Sequence, residues 1–215
     1  MMNKKIMILG ASILQVPAIE KALELGLQVV GVDMNPKAVG LQIEGVIPEI
    51  ISTINIPAVV EVAKKHKVDG VMTLASDMPM RTVAAVAKEL GLVGITDDTA
   101  LKATNKAEMR KALKKHNVPI PEFYKVSNEL EYENAILSLQ FPVIVKPADN
   151  SGSRGIFKLD SRDNLSEVQE AYKYSKEFSR NGDVVVEECM EGPEVSVETL
   201  TIDGECNVIQ ITDKI

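Results

Sequence analysis

The stretch 143-VIVKPADNSGSRG-155 ends an apolar strand on a cation, and a loop of small and polar residues follows at once. Because side chains alternate along a strand, Lys146 lies on the face opposite its valine neighbours and needs an anionic partner there. Pro147 interrupts regular strand pairing. The two glycines of the loop leave backbone N–H groups accessible, and Arg154 could add a charge-assisted contact. The pattern indicates a loop that binds an anion such as phosphate, and a mobile hairpin tip is the alternative.

A second lysine stands at a predicted helix start, in 104-TNKAEM-109. Asn105 followed by Glu108 fits a capping box, which fixes the first turn of a helix. Lys106 then falls in that first turn, where a cation opposes the helix dipole and is unfavourable by itself. The placement makes sense if an anion lies in front of the helix end. A solvent-facing lysine is the alternative interpretation.

Carboxylates follow a run of three valines in 184-VVVEECMEGPEVSVE-198. Glu194, Ser196 and Glu198 share one face of the second strand in this stretch, because side chains alternate along a strand. An ionised carboxylate only accepts hydrogen bonds, so it can take both hydroxyls of a ribose. The backbone of the connector 187–190 could read the edge of an adenine. A solvated strand face is the alternative interpretation.

Two loops nearer the N-terminus are weaker candidates, for a substrate site. The first, 10-GASILQVPA-18, lies where a dinucleotide fingerprint would lie, with Asp33 ending the next strand, but it has only one of the three glycines of that motif. The start of its helix could still hold a carboxylate or phosphate. The second loop, 75-ASD-77, also follows a predicted strand. An ordinary strand–helix turn is the alternative in both cases. The tentative substrate residues are Gly10, Ala11, Ser12, Ser76 and Asp77.

The elements that must position these residues follow two patterns. Up to about residue 98, apolar runs of strand length alternate with helix-period stretches, which predicts an α/β region with an open parallel sheet. A helical region then covers 98–117. Strands and helices beyond it predict a mixed α+β region with antiparallel pairs, ending in a hairpin over 194–214 around Asp203-Gly204.

Composition argues against several classes of function. The net charge is −7, so a dominant basic face for nucleic acid is not expected. No apolar run approaches the ~20 residues of a membrane span, and the N-terminal apolar run is too short for a signal peptide. Two cysteines without metal-type spacing indicate free thiols in a reducing compartment. The sequence predicts a cytoplasmic protein that binds small molecules, without nucleic-acid or membrane partners.

In combination, these motifs resemble the nucleotide-binding half of the ATP-grasp superfamily. NKAEMRKAL, PVIVKP with its glycine-rich loop, and VVVEECMEGPEVSVE follow a region with GASILQ and LASD, in the order and spacing of that superfamily. The similarity covers the whole chain and is nearest to carbamoyl-phosphate synthase large chains, phosphoribosylamine–glycine ligases, biotin carboxylases and bacterial amino-acid ligases. It implies a Rossmann-like pre-ATP-grasp domain over 1–98, an ATP-grasp N-terminal subdomain over 99–185, and the incomplete start of a C-terminal subdomain over 186–215.

The resemblance also implies roles for matching positions. Lys106 and Lys146 resemble two lysines that contact ATP phosphates, and 149–155 resembles the flap that closes over them. Residues 187–190 resemble the hinge that holds adenine, Glu194 the ribose carboxylate, and Lys214 a later phosphate-side lysine. The implied ATP-binding residues are Lys106, Lys146, Asp149, Asn150, Ser151, Gly152, Ser153, Arg154, Gly155, Glu187, Glu188, Cys189, Met190, Glu194 and Lys214.

The implied activity joins a carboxylate to an amine or a thiol through an acyl phosphate made from ATP, with magnesium. Family members carry their magnesium ligands and a catalytic arginine beyond the ribose glutamate, whereas this chain stops at Ile215. We therefore expect an N-terminal piece of a longer enzyme, without its own metal ligands and inactive alone; a homodimer stays open. A non-catalytic nucleotide-binding or assembly module and a Rossmann NAD(P) oxidoreductase remain as alternatives.

Overall fold

Strands and helices alternate along almost the whole of the computed structural model, which describes residues 4–214. In chain order the elements are β1 (Lys5–Leu9), α1 (Val16–Glu24), β2 (Gln28–Asp33), β3 (Val46–Ile50), α2 (Ile56–His66), β4 (Gly70–Met72), α3 (Met80–Leu90), α4 (Asp97–Thr104), α5 (Lys106–Lys115), β5 (Phe123–Val126), α6 (Glu129–Ser138), β6 (Val143–Pro147), β7 (Phe157–Leu159), α7 (Leu165–Glu177), β8 (Val184–Glu188), β9 (Glu194–Ile202) and β10 (Glu205–Lys214). A 3-10 turn covers Val39–Gln42. No helix within residues 4–214 is both long enough and apolar enough to cross a membrane.

The first half forms a four-stranded parallel sheet in the order β3-β2-β1-β4. Met7 of β1 packs with α2 and α3 on one face, and Ile8 packs with α1 on the other. This explains why the inner strands are apolar throughout. The sequence predicted the parallel sheet but missed β3, because Pro48 and Glu49 break its apolar pattern. An edge strand tolerates both features.

The second half forms a four-stranded antiparallel sheet in the order β5-β8-β6-β7. The antiparallel pairs that the sequence predicted here are confirmed. Helices α6 and α7 cover one face, where Val184 and Val186 are buried. Val185 points to the other face and packs against Ala107 of α5. The alternation of side chains along β8 therefore sends Glu187 to the same face as α5. Lys146 lies on that face too, since it pairs with Val185 across the sheet.

The helical region predicted over 98–117 consists of two helices that meet at Asn105. This residue is extended, with φ −123° and ψ 117°, and it ends α4 and begins α5. Its side chain accepts hydrogen bonds from the backbone N–H groups of Ala107 and Glu108, at 3.0 and 3.1 Å. The predicted cap is therefore confirmed, although the side chain of Glu108 pairs with Lys111 and does not complete the box.

The predicted C-terminal hairpin is present as the antiparallel pair β9–β10. Its turn residues Asp203 and Gly204 both have positive φ, 50° and 85°, as a tight two-residue turn requires. Every residue of the two strands is exposed in this structure.

Candidate functional site

A cleft of about 710 Å³ opens between the two sheets. Its walls come from the segments that follow β3 and β4, from α4 and α5, and from β6 with its glycine-rich loop. Among the described residues that line it are Arg81, Lys106, Arg110, Lys146, Arg154 and Arg180. The acidic residues in the same lining are Asp77 and Asp149. A chain of net charge −7 thus concentrates cations in one concave surface, which favours an anionic ligand.

Lys106 enters the cleft from the first turn of α5. Its backbone N–H donates to the carbonyl of Ala148 at 2.7 Å, and its ammonium donates to the carbonyl of Asn150, the second residue of the glycine-rich loop. Burial lowers the pKa of Lys106, and the nearby charge of Lys146 lowers it further. Within residues 4–214 no carboxylate lies at salt-bridge distance from this ammonium. Lys106 is therefore a half-buried cation that an anionic ligand would stabilise.

Lys146 shares a buried carboxylate with an arginine. Glu187, which is 4% exposed, accepts from Arg110 Nε at 3.0 Å through Oε2, and from Arg110 Nη2 at 3.1 Å through Oε1. The ammonium of Lys146 also donates to Oε1. Burial raises the pKa of Glu187, but the hydrogen bond from Arg110 and the charge of Lys146 together bring this pKa below its ordinary value. The partner that the sequence required for Lys146 is therefore Glu187.

The loop after β6 has the backbone geometry that its glycines predicted. Gly152, Ser153 and Gly155 have positive φ values of 72°, 56° and 75°. The side chain of Asn150 accepts from the N–H of Ser151 at 2.9 Å and from Arg154 Nη2 at 3.2 Å, which folds the loop over its own start. Over the described part of the chain, no acceptor engages the backbone N–H of Gly152, Ser153 or Arg154. These donors remain available to a ligand.

Asp149 anchors the base of this loop. Its carboxylate accepts from the hydroxyl of Ser179 at 3.1 Å and from the backbone N–H groups of Arg180 and Asn181, at 3.0 and 3.2 Å. The far end is held by Ser175, whose hydroxyl donates to the carbonyl of Gly155 at 2.7 Å. Asp149 and Gly155 thus fix the two ends of the loop, and the residues between them face the cleft.

The other residues assigned to ATP lie outside the cleft lining. The backbone N–H groups of Glu188 and Cys189 donate to carbonyls of the same sheet, at 3.0 and 2.9 Å, while the side chain of Met190 is 68% exposed. Glu194 and Lys214 pair with each other at 3.0 Å on the exposed hairpin. The structure therefore brings together the two lysines and the loop, but it does not bring the predicted ribose carboxylate to them.

Of the two tentative substrate loops, only the second borders the glycine-rich loop. The N–H of Ala11 donates to Asp33 Oδ2 at 2.9 Å, and the N–H of Ser12 donates to Gln15 Oε1 at 3.0 Å. These donors are consequently engaged within the protein. Gly10, Ala11 and Ser12 line neither the cleft nor the smaller cavity beside it.

The loop with Ser76 and Asp77 lines a second cavity of about 480 Å³, together with Ser151 and Gly152. Asp77 also lines the main cleft, so the two cavities adjoin at this residue. Gln15 connects the two N-terminal loops, because its amide donates to the carbonyl of Leu74 at 2.7 Å. The position of the Ser76–Asp77 loop thus depends on the first loop, even though the first loop does not reach the cleft.

Three arginines of the cleft were missed by the sequence analysis: Arg81, Arg110 and Arg180. Arg110 could have been found, because it lies four residues after Lys106 and therefore on the same face of one helix. Arg81 and Arg180 carry no comparable local signal. Their place in the cleft depends on how the segment after β4 and the turn before β8 come together.

The resemblance implies magnesium, and binding of this metal requires a group of suitable ligands. Among residues 4–214, no group of three or more His, Cys, Asp and Glu side chains is arranged to hold a metal ion. The carboxylate of Asp149 is already engaged by three donors. The described residues therefore do not fit a magnesium site by themselves, and we derive no step through the metal.

Comparison with protein families and known sequences identifies relatives of this chain. Residues 139–215 match the model of the ATP-grasp domain, a stretch that begins just before β6 and includes its loop. An L-arginine-specific L-amino acid ligase from Bacillus subtilis is 32% identical over 57% of this chain and 30% of its own length. A phosphoribosylamine–glycine ligase from Thermococcus kodakarensis is 30% identical over 70% of this chain and 35% of its own length. The chain spans about a third of the length of these curated relatives.

Solved structures show the same fold over nearly the whole chain. An L-amino acid ligase from Bacillus licheniformis superposes with a TM-score of 0.75 at 25% identity, covering 99% of this chain and 50% of the other. The ADP complex of an N5-carboxyaminoimidazole ribonucleotide synthetase superposes with a TM-score of 0.79 at 21% identity, covering 99% and 54%. A parallel sheet followed by an antiparallel one, the matched domain and these relatives agree: the chain carries an ATP-grasp domain over residues 139–215, and its homologues include carboxylate–amine ligases.

Proposed function

We propose that this chain is the ATP-binding portion of an ATP-dependent ligase that joins a carboxylate to an amine or a thiol. The observation that carries the proposal is the convergence of Lys106, Lys146 and the unengaged N–H groups of the glycine-rich loop on one cationic cleft. The relatives support the reaction class, because two of them are named as amino-acid and glycine ligases.

The cleft fits the phosphate end of a nucleotide in three respects. Its ammonium and guanidinium groups match the several negative charges of a di- or triphosphate. The first turn of α5 faces the cleft, and the positive end of its helix dipole favours an anion there. The N–H groups of Gly152, Ser153 and Arg154 supply further donors at close approach. Together these groups would neutralise and orient the phosphates, which accounts for most of the catalysis of phosphoryl transfer.

The residues of this cleft and of the adjoining cavity would bind different substrates. ATP would supply the phosphoryl group that converts the substrate carboxylate to an acyl phosphate, which the amine or thiol then attacks. Lys106, Lys146 and the loop would hold the nucleotide, and the loop would exclude water from the reactive intermediate. Ser76 and Asp77, in the adjoining cavity, would contact a substrate other than the nucleotide. The proposed boundaries are 1–98 for the first domain, 99–185 for the phosphate-side subdomain and 186–215 for the start of the next one.

An oxidoreductase is disfavoured by the first strand–helix loop. In a dinucleotide site the backbone N–H groups of this loop and the carboxylate after the second strand must be free for the ligand. Here Asp33 accepts from Ala11 through Oδ2 and from Asn35 through Oδ1, both at 2.9 Å. Ser12 is engaged by Gln15. These internal hydrogen bonds engage the backbone donors and the carboxylate that NAD(P) would need.

Titration calorimetry with four ligands tests the proposal on the chain itself. ATP and ADP are expected to bind saturably and more tightly than AMP, because the cleft holds the terminal phosphates. NADH is expected not to bind. Binding of NADH without ADP would overturn the proposal. A second assay, on the protein encoded by the whole gene, distinguishes a ligase from a non-catalytic module. Carboxylate-dependent release of phosphate from ATP supports the ligase.

A further inference from the structure

Glu187 joins three elements beneath the cleft without lining it. It lies on β8, is 4% exposed, and uses both carboxylate oxygens for Arg110 of α5 and Lys146 of β6. Both cations line the cleft, with side chains that are 17% and 14% exposed. One buried carboxylate therefore holds two cleft cations from behind.

The donors that remain after this pairing point to a function for it. An ammonium has three N–H donors and a guanidinium has five. Glu187 takes one from Lys146 and two from Arg110. The rest are available on the cleft side, and their directions are fixed because the bidentate pair allows Arg110 little rotation.

The same carboxylate also contributes negative charge near Lys106. The charged groups that act on Lys106 are Lys146 as a cation and Asp149, Asp77 and Glu187 as anions. Asp149 is engaged by the turn before β8, and Asp77 belongs to the other wall. Without the Glu187 carboxylate, three close and partly buried cations would share less negative charge, which would lower the pKa of Lys106 further.

We propose that Glu187 is a positioning residue, which aims Arg110 and Lys146 at the nucleotide phosphates and keeps the cations of the phosphate site charged together. This inference rests on the proposed function for its ligand. It differs from the role implied by the resemblance, because the side chain of Glu187 would act at the phosphate end of the nucleotide and not at adenine.

The first test compares ADP with adenosine, which lacks phosphates. In Glu187→Gln the ADP affinity at pH 7 is expected to fall about tenfold or more, whereas the adenosine affinity changes less than about threefold. The loss for ADP should grow as the pH rises, because the lowered pKa of Lys106 lets this lysine lose its proton more readily in the variant. Glu187→Asp keeps the charge but shortens the side chain, so it should lose ADP affinity without the added pH dependence. Glu49→Gln removes another partly buried, paired carboxylate outside the cleft and serves as the matched control.

The second test needs no nucleotide. Acetylation of Lys106 by pulses of acetic anhydride, read by peptide mass spectrometry across pH, reports the titration of its amine. The midpoint is expected to move to lower pH in Glu187→Gln and to stay in place in Glu187→Asp and Glu49→Gln. If Glu187→Gln does not fold, the single variant Arg110→Gln is compared with Glu187→Asp. Arg110→Gln removes the bidentate pair and keeps the carboxylate of Glu187.

The outcomes separate the inference from the proposed function. An unchanged Lys106 midpoint in Glu187→Gln, or equal losses for ADP and adenosine, would overturn the positioning role. Failure of the unmodified protein to bind ADP would instead overturn the nucleotide assignment, and with it the phosphate role of Glu187. A shifted midpoint in that case would support only the electrostatic effect of Glu187 on Lys106.

Discussion

Arg110 and Glu187 are 77 positions apart in the chain and form a bidentate pair, with N–O distances of 3.0 and 3.1 Å. The pair ties α5 to the central strand β8 of the antiparallel sheet. Lys106 lies one helical turn before Arg110, so the same contact sets where the first turn of α5 faces. This wall of the cleft is thereby fixed by a pair of residues from two distant elements.

The pH dependence of stability should report the Glu187 pair. Because the pKa of Glu187 is below its ordinary value of 4.5 in the folded protein, the carboxylate stabilises the fold above pH ~4.5. This contribution is lost as the pH falls through the folded pKa, where Glu187 is protonated. Glu187→Gln should lower the free energy of unfolding by about 3–5 kcal/mol at pH 7.

Urea denaturation between pH 7 and pH 3 measures this difference, which should shrink below pH ~4.5. Glu170→Gln, an exposed change on α7, provides the control and should follow the unmodified protein throughout. A difference between Glu187→Gln and the unmodified protein that stays constant down to pH 3 would contradict the ionised pair.

Replacement of Lys106 should stabilise the protein while it removes ligand binding. Burial lowers the pKa of this lysine, so the fold bears the cost of its charge below the folded pKa, and this cost disappears as the pH rises through that value. Lys106→Met should therefore raise the free energy of unfolding at pH 7 by roughly 0.5–2 kcal/mol. Lys111→Met, an exposed change on the same helix, should not raise it. A destabilised Lys106→Met protein would show that the bond from Lys106 to Asn150 outweighs the burial.

The two loop glycines should differ in their tolerance of a methyl group. Both have positive φ, 72° for Gly152 and 75° for Gly155. A Cβ at Gly155 would lie 2.7 Å from Phe178 Cβ, whereas nothing lies within 4 Å of a Cβ at Gly152. Gly152→Ala should cost about 1 kcal/mol of stability, from backbone strain alone. Gly155→Ala should cost roughly 2–4 kcal/mol, because overpacking adds to the strain. Equal melting temperatures for the two variants would mean that the loop base is not packed as described.

The cap of α5 should contribute more than an ordinary helix cap. Asn105 is 5% exposed and accepts two backbone N–H groups, whereas the exposed cap Asn164 of α7 accepts one, at 3.3 Å. Asn105→Ala should lower the free energy of unfolding by about 1–2 kcal/mol, and Asn164→Ala by about 0.5 kcal/mol. Thermal unfolding of both variants checks the order, and a larger loss in Asn164→Ala would contradict it.

Local patterns were sufficient for much of the cationic wall of the cleft. The strand that carries Lys146, the glycine-rich loop and the cap at Asn105 depend on neighbours within a few residues, so the sequence predicted them. The strand was expected to end its pairing at Lys146, but Pro147 still pairs with Val184. Arg110 and Asp149 show the limit of this information. Each has its role through a partner in a distant element, Glu187 in one case and the 179–181 turn in the other, and no local pattern reveals such pairs.

The contacts of residues on strand faces were harder to predict than the positions of loops. Alternation correctly put Glu194 on one face of a strand, but it does not identify the residue that this face contacts. In the structure Glu194 forms an ion pair with Lys214. Gln15 gives the opposite case. It is 4% exposed and connects two loops through Ser12 and Leu74, yet a glutamine in a helix start carries no signal for burial.

ADP affinity measured by calorimetry in lysine variants tests the central claim most directly. Lys106→Ala and Lys146→Ala should each weaken ADP binding about tenfold or more, because each removes a charge-assisted contact to phosphate. Lys111→Ala, one turn further along α5 and paired with Glu108 in solvent, should bind ADP within about twofold of the unmodified protein. If the unmodified protein binds ADP and both cleft variants bind it equally well, the phosphate site is not where these residues converge.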